Sequence, residues 1–284
     1  MAVPARSGGG DAPARASTLA AMGLHLTAIG IDVGGTGIKG GAIELTTGER
    51  ITSRHKVSTP EGGAPADIAR EVGAMVAAIR VELVEAGTAT AEVAAALPVG
   101  VTLPGVVRDG VMRTAANIDL SWIGTDAREL LGAAVGAPCT VVNDADAAGV
   151  AEVAFGEVRG LPGVTMVLTF GTGIGSALVA DGVLVPNFEL GHLELDGFIS
   201  IEKHTAAKVI EREGITLAEW AGRAARYIGY LEQVMNPDRF VIGGSISKNA
   251  DQYLPFAGVT VPVVPAKLRN DAGIIGAAFL AAQG

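Results

Sequence analysis

The sequence predicts an α/β protein of two similar lobes facing one cleft. Three observations lead there. Apolar runs of strand length alternate with 3.6-residue helical patterns along most of the chain. A strand–glycine turn–strand unit occurs twice, Gly-Thr-Gly-Ile at 35–38 recurring at 171–174, and an internal repeat is evidence about architecture. The chain has 284 residues, enough for two domains of ordinary size.

Taken in order, residues 1–23 are rich in Ala, Gly, Pro, Ser and Arg without any period, and a mobile tail is expected there. Arg6 and Arg15 precede a mildly apolar segment, but His25 and Thr27 interrupt it and no cleavage site follows, so export is not expected. Residues 26–31, 41–45 and 50–57 read as strands, the last two joined through Thr46-Thr47-Gly48-Glu49. Residues 65–85 read as an amphipathic helix with Ile68, Val72, Met75, Val76, Ile79 and Leu83 on one face. Glu61, Asp67 and Glu71 near its start suit the helix dipole. A fourth strand is expected at 94–101, then a turn at Thr102-Leu103-Pro104-Gly105 and a small hairpin over 106–112. Residues 115–119 read as a loop, and 125–135 as a helix capped by Thr125 and stopped by Gly136. A strand at 140–142 opens into a helix ending at Phe155. The second glycine turn lies within 164–184, and 187–197 is irregular. Helices at 205–213 and 217–235, strands at 238–243 and 259–264, and a closing helix at 272–282 complete the chain. The alternation predicts mainly parallel sheets.

Composition narrows the function. The chain is 49% hydrophobic with a mean hydropathy of +0.41. No uninterrupted apolar run reaches the ~18 residues of a membrane span. The longest candidate, 93–107, is broken by Pro98, Gly100 and Pro104. A net charge of −9 argues against nucleic acid as partner. An anionic substrate would need a local basic patch. Lys39, Arg54, Lys56, Lys248, Lys267 and Arg269 are the cations nearest the candidate turns. The lone Cys139 excludes an intrachain disulfide, fits a cytosolic location, and reads as a small core residue.

The chemistry centres on 29–41, where an apolar run ends in Asp32 and a turn of Gly34, Gly35, Thr36 and Gly37 leads to Lys39. Glycines permit positive φ and let backbone N–H groups approach an anion. Asp32 beside such a concavity would repel a bare phosphate, so a divalent cation between them is inferred, and Mg²⁺ suits the ligands. The Lys39 spacing does not fit a P-loop. Asp144 stands where a strand ends and a helix begins, the place for a general base toward a hydroxyl, although an Asp there is also an ordinary N-cap. Residues 189–196, Glu-Leu-Gly-His-Leu-Glu-Leu-Asp, concentrate groups that pair with sugar hydroxyls. Zinc on Glu189 and His192 is the rival reading. Asn117 is a hydroxyl ligand or a turn former. The turn Gly243-Gly244-Ser245-Ile246-Ser247-Lys248 could support a nucleotide or be a plain βα loop.

Together these stretches, from about 29 to 278, resemble the sugar-kinase branch of the actin-like ATPase superfamily. Within it they resemble the ROK (repressor, open reading frame, kinase) family, most closely its actinobacterial polyphosphate/ATP glucokinase branch. The resemblance rests on 32–39 and 169–177 as phosphate motifs, 243–248 as an adenosine motif, 143–146 around the base, and 103–107, the Asn117 loop with Trp122, and 189–197. It implies an actin-like, ribonuclease H-like fold: a first lobe at 25–142, joined by a closing helix at 271–284, and a second lobe at 143–270, after a tail at 1–24. It implies transfer of a phosphoryl group from polyphosphate or ATP to the 6-hydroxyl of glucose, with Mg²⁺, in a cytoplasmic homodimer. An ATP-only hexokinase for mannose, fructose or an N-acyl amino sugar, and a sugar-sensing actin-like protein, remain the alternatives.

Asp144 would be the base. Gly105, Asn117, Asn143, Asp144, Glu189, His192 and Glu202 would hold the sugar. Asp32, Gly34, Gly35, Thr36, Gly37, Lys39, Gly171, Thr172, Gly173, Gly243, Gly244 and Lys248 would hold phosphates or nucleotide, with Asp32 near the metal. The zinc-binding cysteine cluster of many ROK members is missing, so no structural zinc is expected, and 198–201 departs from the family pattern before Glu202. No winged helix-turn-helix is read before 29, so a repressor is not expected.

Overall fold

The computed structural model describes residues 26–283, and the expected tail at 1–24 lies outside the described residues. β1 (Thr27–Val33) and β2 (Gly37–Glu44) pair antiparallel across Gly34-Gly35-Thr36. The second strand begins at 37 rather than 41, so Gly37 and Lys39 belong to the ladder and not to the turn. The expected strand 50–57 is two pieces, β3 (Glu49–Arg50) and β4 (His55–Ser58). The buried Thr52 hydroxyl accepts the Ala42 N–H at 3.0 Å and interrupts the pairing. β4 resumes beside the other end of β2 and sets Lys56 opposite Lys39.

α1 (Pro65–Glu85) has Pro at its first turn, where a missing N–H is harmless. Its expected apolar stripe is buried against β2 and β1, each large side chain contributing about 1.5–3 kcal/mol. Residues 91–96 form a helix, α2 (Ala91–Ala96), which takes the first three residues of the strand expected at 94–101. Thr90 caps it, accepting from the Val93 N–H at 3.3 Å, and its alanines favour helix. β5 (Val99–Leu103) starts only after Pro98 and runs parallel to β1. β6 (Val107–Arg108) and β7 (Val111–Met112) form the expected hairpin. α3 (Ala127–Val135) is capped by Asp126, not Thr125, and stops at Gly136 in the left-handed region. β8 (Cys139–Asn143) lies parallel to β5 and runs directly into α4 (Asp144–Phe155). The strand order of this sheet is β3-β2-β1-β5-β8, with β4 also on β2.

The second sheet repeats the plan. β9 (Val164–Phe170) and β10 (Ile174–Ala180) pair antiparallel across the second glycine turn, followed by β11 (Val183–Val185). The expected helix 205–213 is broken into α5 (Glu202–Thr205) and α6 (Lys208–Glu213), because the Lys208 N–H donates to the Gly171 carbonyl at 3.0 Å. α7 (Leu217–Met235) opens with a capping box of Thr216 and Glu219 and buries Trp220, Tyr227, Ile228 and Leu231. β12 (Arg239–Gly244) is parallel to β9 and to β13 (Val263–Pro265), the latter shorter than the expected 259–264. Both sheets are mixed rather than mainly parallel, since each glycine turn folds its strand straight back.

α8 (Ala272–Ala281) is the last element among the described residues. Gly30 and Gly100 have no Cβ to strike the carbonyls of Ile274 and Ala277, so the helix lies directly on β1 and β5. Gly276 likewise admits the Ala147 carbonyl of α4. One helix thus touches the first sheet and the helix that leaves it for the second.

Candidate active site

The strand-to-helix junction at the end of β8 is built by Asn143. Its Oδ1 accepts the N–H groups of Ala145 at 2.8 Å and Asp146 at 3.0 Å, so Asn143 is the N-cap of α4 and not Asp144. Its Nδ2 donates to the Gly105 carbonyl at 3.0 Å. Gly105 has φ of 152°, and a Cβ there would strike the Thr114 carbonyl. The capping work done by Asn143 leaves Asp144 half-buried, with only its neighbour Ala145 N–H on Oδ1 at 2.9 Å. Burial, reinforced by the charges of Asp32 and Glu189, pushes the Asp144 carboxyl up to about 7. Asp32 ends β1 of the first sheet and Glu189 lies on the loop that follows β11 of the second, which places Asp144 between the lobes.

Asp32 ends β1. The Thr102 hydroxyl donates to its Oδ1 at 2.9 Å, and Lys39 Nζ lies 3.5 Å from its Oδ2. Gly34, Gly35 and Gly37 do not take positive φ; the reason for glycine here is space. A Cβ on Gly35 would come within 2.6 Å of the Asn117 carbonyl oxygen, so the Asn117 loop sits on the turn. Asn117 itself is left-handed, with φ of 61°. The Gly34 N–H is already used on the Gly37 carbonyl at 3.0 Å, as the Gly171 N–H is on the Gly173 carbonyl at 3.0 Å. Among the described residues the N–H groups of Gly35, Thr36, Thr172 and Gly173 have no protein partner, so these four are free to donate outward, whereas those of Gly34 and Gly171 are not.

The loop after β11 carries Glu189 and His192. His192 Nδ1 lies 3.9 Å from Glu189 Oε2, and its Nε2 lies 3.7 Å from Glu202 Oε1. Glu202 also accepts the Ile174 N–H at 3.1 Å and fills the space beside Gly173. The altered segment 198–201 therefore leaves Glu202 beside His192 and the second glycine turn. Burial raises the Glu189 carboxyl, with His192 opposing and Glu202 adding to the shift. Asp146, almost fully buried, accepts the Asn187 N–H at 2.8 Å on Oδ2 while its Oδ1 has no partner. Burial pushes Asp146 up to about 7 as well.

A groove of ≈ 570 Å³ lies beside the second turn, lined by Gly171, Thr172, Lys208, Glu211, Ser245 and Asn249 among others. Gly243 is buried inside β12, and Lys248 points outward, so neither lines this groove; Ser245 and Asn249 of the same turn do. Gly244 shapes the turn through its φ of 82°. Thr102, Asn187 and Lys208 contact Asp32, Asp146 and Gly171, and Asn249 lines the groove; none of the four carries a signal in the sequence, because what it adjoins is distant in the chain.

The ROK family matches residues 28–206. The chain is 45% identical over 251 residues to the polyphosphate glucokinase of Mycobacterium tuberculosis, covering 88% of this chain and 89% of that protein. It is 43% identical over 251 residues to the polyphosphate glucokinase of Mycobacterium leprae, covering 88% and 73%. The crystal structure of inorganic polyphosphate/ATP-glucomannokinase from Arthrobacter sp. strain KM superposes with a TM-score of 0.80 at 46% identity, over 90% of this chain and 98% of that one.

Proposed function

The chain belongs to the ROK family, and from that premise we infer that it phosphorylates glucose with inorganic polyphosphate or ATP, giving glucose 6-phosphate. Its lobes have the actin-like ATPase fold of ROK sugar kinases. The observation that carries the reading is the setting of Asp144, a carboxyl near pKa 7 between Asp32 of the phosphate turn and Glu189 of the sugar loop.

Asp144 accepts the proton of the sugar's 6-hydroxyl as that oxygen attacks the terminal phosphorus. The bond to the rest of the donor breaks, leaving ADP or a polyphosphate shorter by one unit. A base poised near the operating pH is the efficient choice. Asn117, Glu189, His192 and Glu202 hold the other hydroxyls. Asn143 and Gly105 fix the junction, with one Asn143 amide hydrogen left for the sugar. The N–H groups of Gly35, Thr36, Thr172 and Gly173 receive the phosphates, and Lys39 offsets their charge. The oxygen donors at Asp32 fit Mg²⁺, since Oδ2 has only the 3.5 Å contact with Lys39. When bound there the ion supplies charge neutralisation of the donor. Closure of the lobes excludes water, which would otherwise be phosphorylated in place of the sugar.

The test is the initial rate of glucose 6-phosphate formation with Mg²⁺ and either polyphosphate or ATP as sole donor. Turnover is expected with each, faster with polyphosphate, and absence of product with both would overturn the reading. The Arthrobacter protein is a glucomannokinase, so mannose is the next acceptor to try. No helix among the described residues is long and apolar enough to cross a membrane. A cytoplasmic homodimer completes the proposal; family resemblance alone supports it, and sedimentation velocity checks it.

A further inference from the structure

Residues directly opposite in neighbouring strands point to the same face of a sheet. Thr102, Asp32, Lys39 and Lys56 are successive partners across β5, β1, β2 and β4, so they form one row on one face. Thr102 and Lys39 both engage Asp32. Lys56 is exposed, and among the described residues no carboxylate lies within salt-bridge distance of it. The other cations of this edge, Arg50 and Arg54, each have a carboxylate contact, sharing Asp271 at 3.6 and 3.2 Å.

The row therefore sets two ammonium groups against one carboxylate, in a chain of net charge −9. Like charges directly opposite in a sheet cost stability, and an anion between them removes the cost. The place of Lys56 says which anion. Its Cε is 3.7 Å from where a Gly37 Cβ would stand, so the side chain runs along the edge of the first glycine turn. The strand is held there by Thr59, whose hydroxyl donates to the Gly34 carbonyl at 2.5 Å and whose N–H donates to the Thr36 carbonyl at 3.4 Å.

We propose that Lys56, together with Lys39, binds phosphates of a polyphosphate donor adjoining the one transferred, and that Lys56 biases the enzyme toward this donor over ATP. The inference rests on the phosphotransferase reading above. A polyphosphate has no base or ribose, so its affinity comes from charge along the chain. ATP gains further contacts from its adenosine, which the groove at Ser245 and Asn249 can receive.

The experiment compares wild type, Lys56→Gln and Lys56→Arg, with kcat and KM measured for polyphosphate and for ATP. Losing one charge-assisted contact lowers the ratio of kcat/KM for polyphosphate to that for ATP about tenfold in Lys56→Gln. Lys56→Arg restores most of it. In Lys56→Gln the KM for polyphosphate also rises less steeply with salt, and added polyphosphate raises Tm less than in wild type. An unchanged donor ratio, or equal losses with both donors, overturns the inference while the kinase reading stands. Wild type active with ATP but not polyphosphate also overturns the inference alone. Wild type inactive with both overturns the phosphotransferase reading and the inference with it.

Discussion

Asn187 and Val107 exchange two hydrogen bonds: the Val107 N–H donates to Asn187 Oδ1 at 3.0 Å, and Asn187 Nδ2 donates to the Val107 carbonyl at 3.0 Å. Val107 belongs to the hairpin of the first lobe and Asn187 to the loop that carries Glu189. The Asn187 N–H is held in turn by Asp146. Three residues thus tie the two sides of the cleft beside the sugar loop. Asn187→Ala leaves a backbone N–H and a carbonyl unpaired and costs about 1–3 kcal/mol of stability. It should also raise the KM for glucose more than it lowers kcat. Asn187→Gly relieves the φ of 66° but not the lost bonds, so equal defects in both variants assign the effect to the tie. Thermal unfolding and steady-state kinetics check both.

Asp144→Asn should bind glucose in calorimetry yet lose about a hundred- to ten-thousandfold in turnover. Near-normal turnover would remove Asp144 as the base.

The base works ionised, so kcat/KM should rise with pH through about 7 and level off above it. A profile flat from about pH 5.5 upward would mean that another group takes the proton.

Asp146 gives a stability prediction of the opposite sign. Its folded pKa of about 7 lies above that of an unfolded aspartate, so the folded state binds the extra proton between about pH 4 and 7. The stability linked to that proton is present at the acid end and is lost as pH rises through about 7. Asp146→Asn removes this dependence. The difference in Tm between variant and wild type should shift in the variant's favour from about pH 5 to about pH 8.

The two glycine turns separate space from chemistry. Gly35→Ala must push the Asn117 loop, so the KM values for donor and sugar should both rise. A Cβ on Gly171 meets nothing within 4 Å, so Gly171→Ala should fold with wild-type Tm and raise only the donor KM.

Much of this was legible in the chain. The stripe of α1 and the limits of α7 follow from periodicity, and Asp144 follows from an apolar run ending in a carboxylate. What was not legible was decided between distant residues. The 205–213 helix breaks because Lys208 donates to Gly171. The 50–57 strand breaks because Thr52 takes the Ala42 N–H. Alanine-rich 91–96 satisfies strand and helix patterns alike, and Thr90 decides between them. Lys56 looked like any surface lysine until the register of β4 set it opposite Lys39.

α8 is the last helix among the described residues, yet its Ile274 and Ala277 carbonyls rest on Gly30 and Gly100, in strands synthesised early. While the ribosome is still translating, β1 and β5 can pair but lack the helix that covers them. The first half of the polypeptide must wait for residue 281 to emerge before it can finish folding. A nonsense mutation or nick that removes this helix would undo strands made long before it.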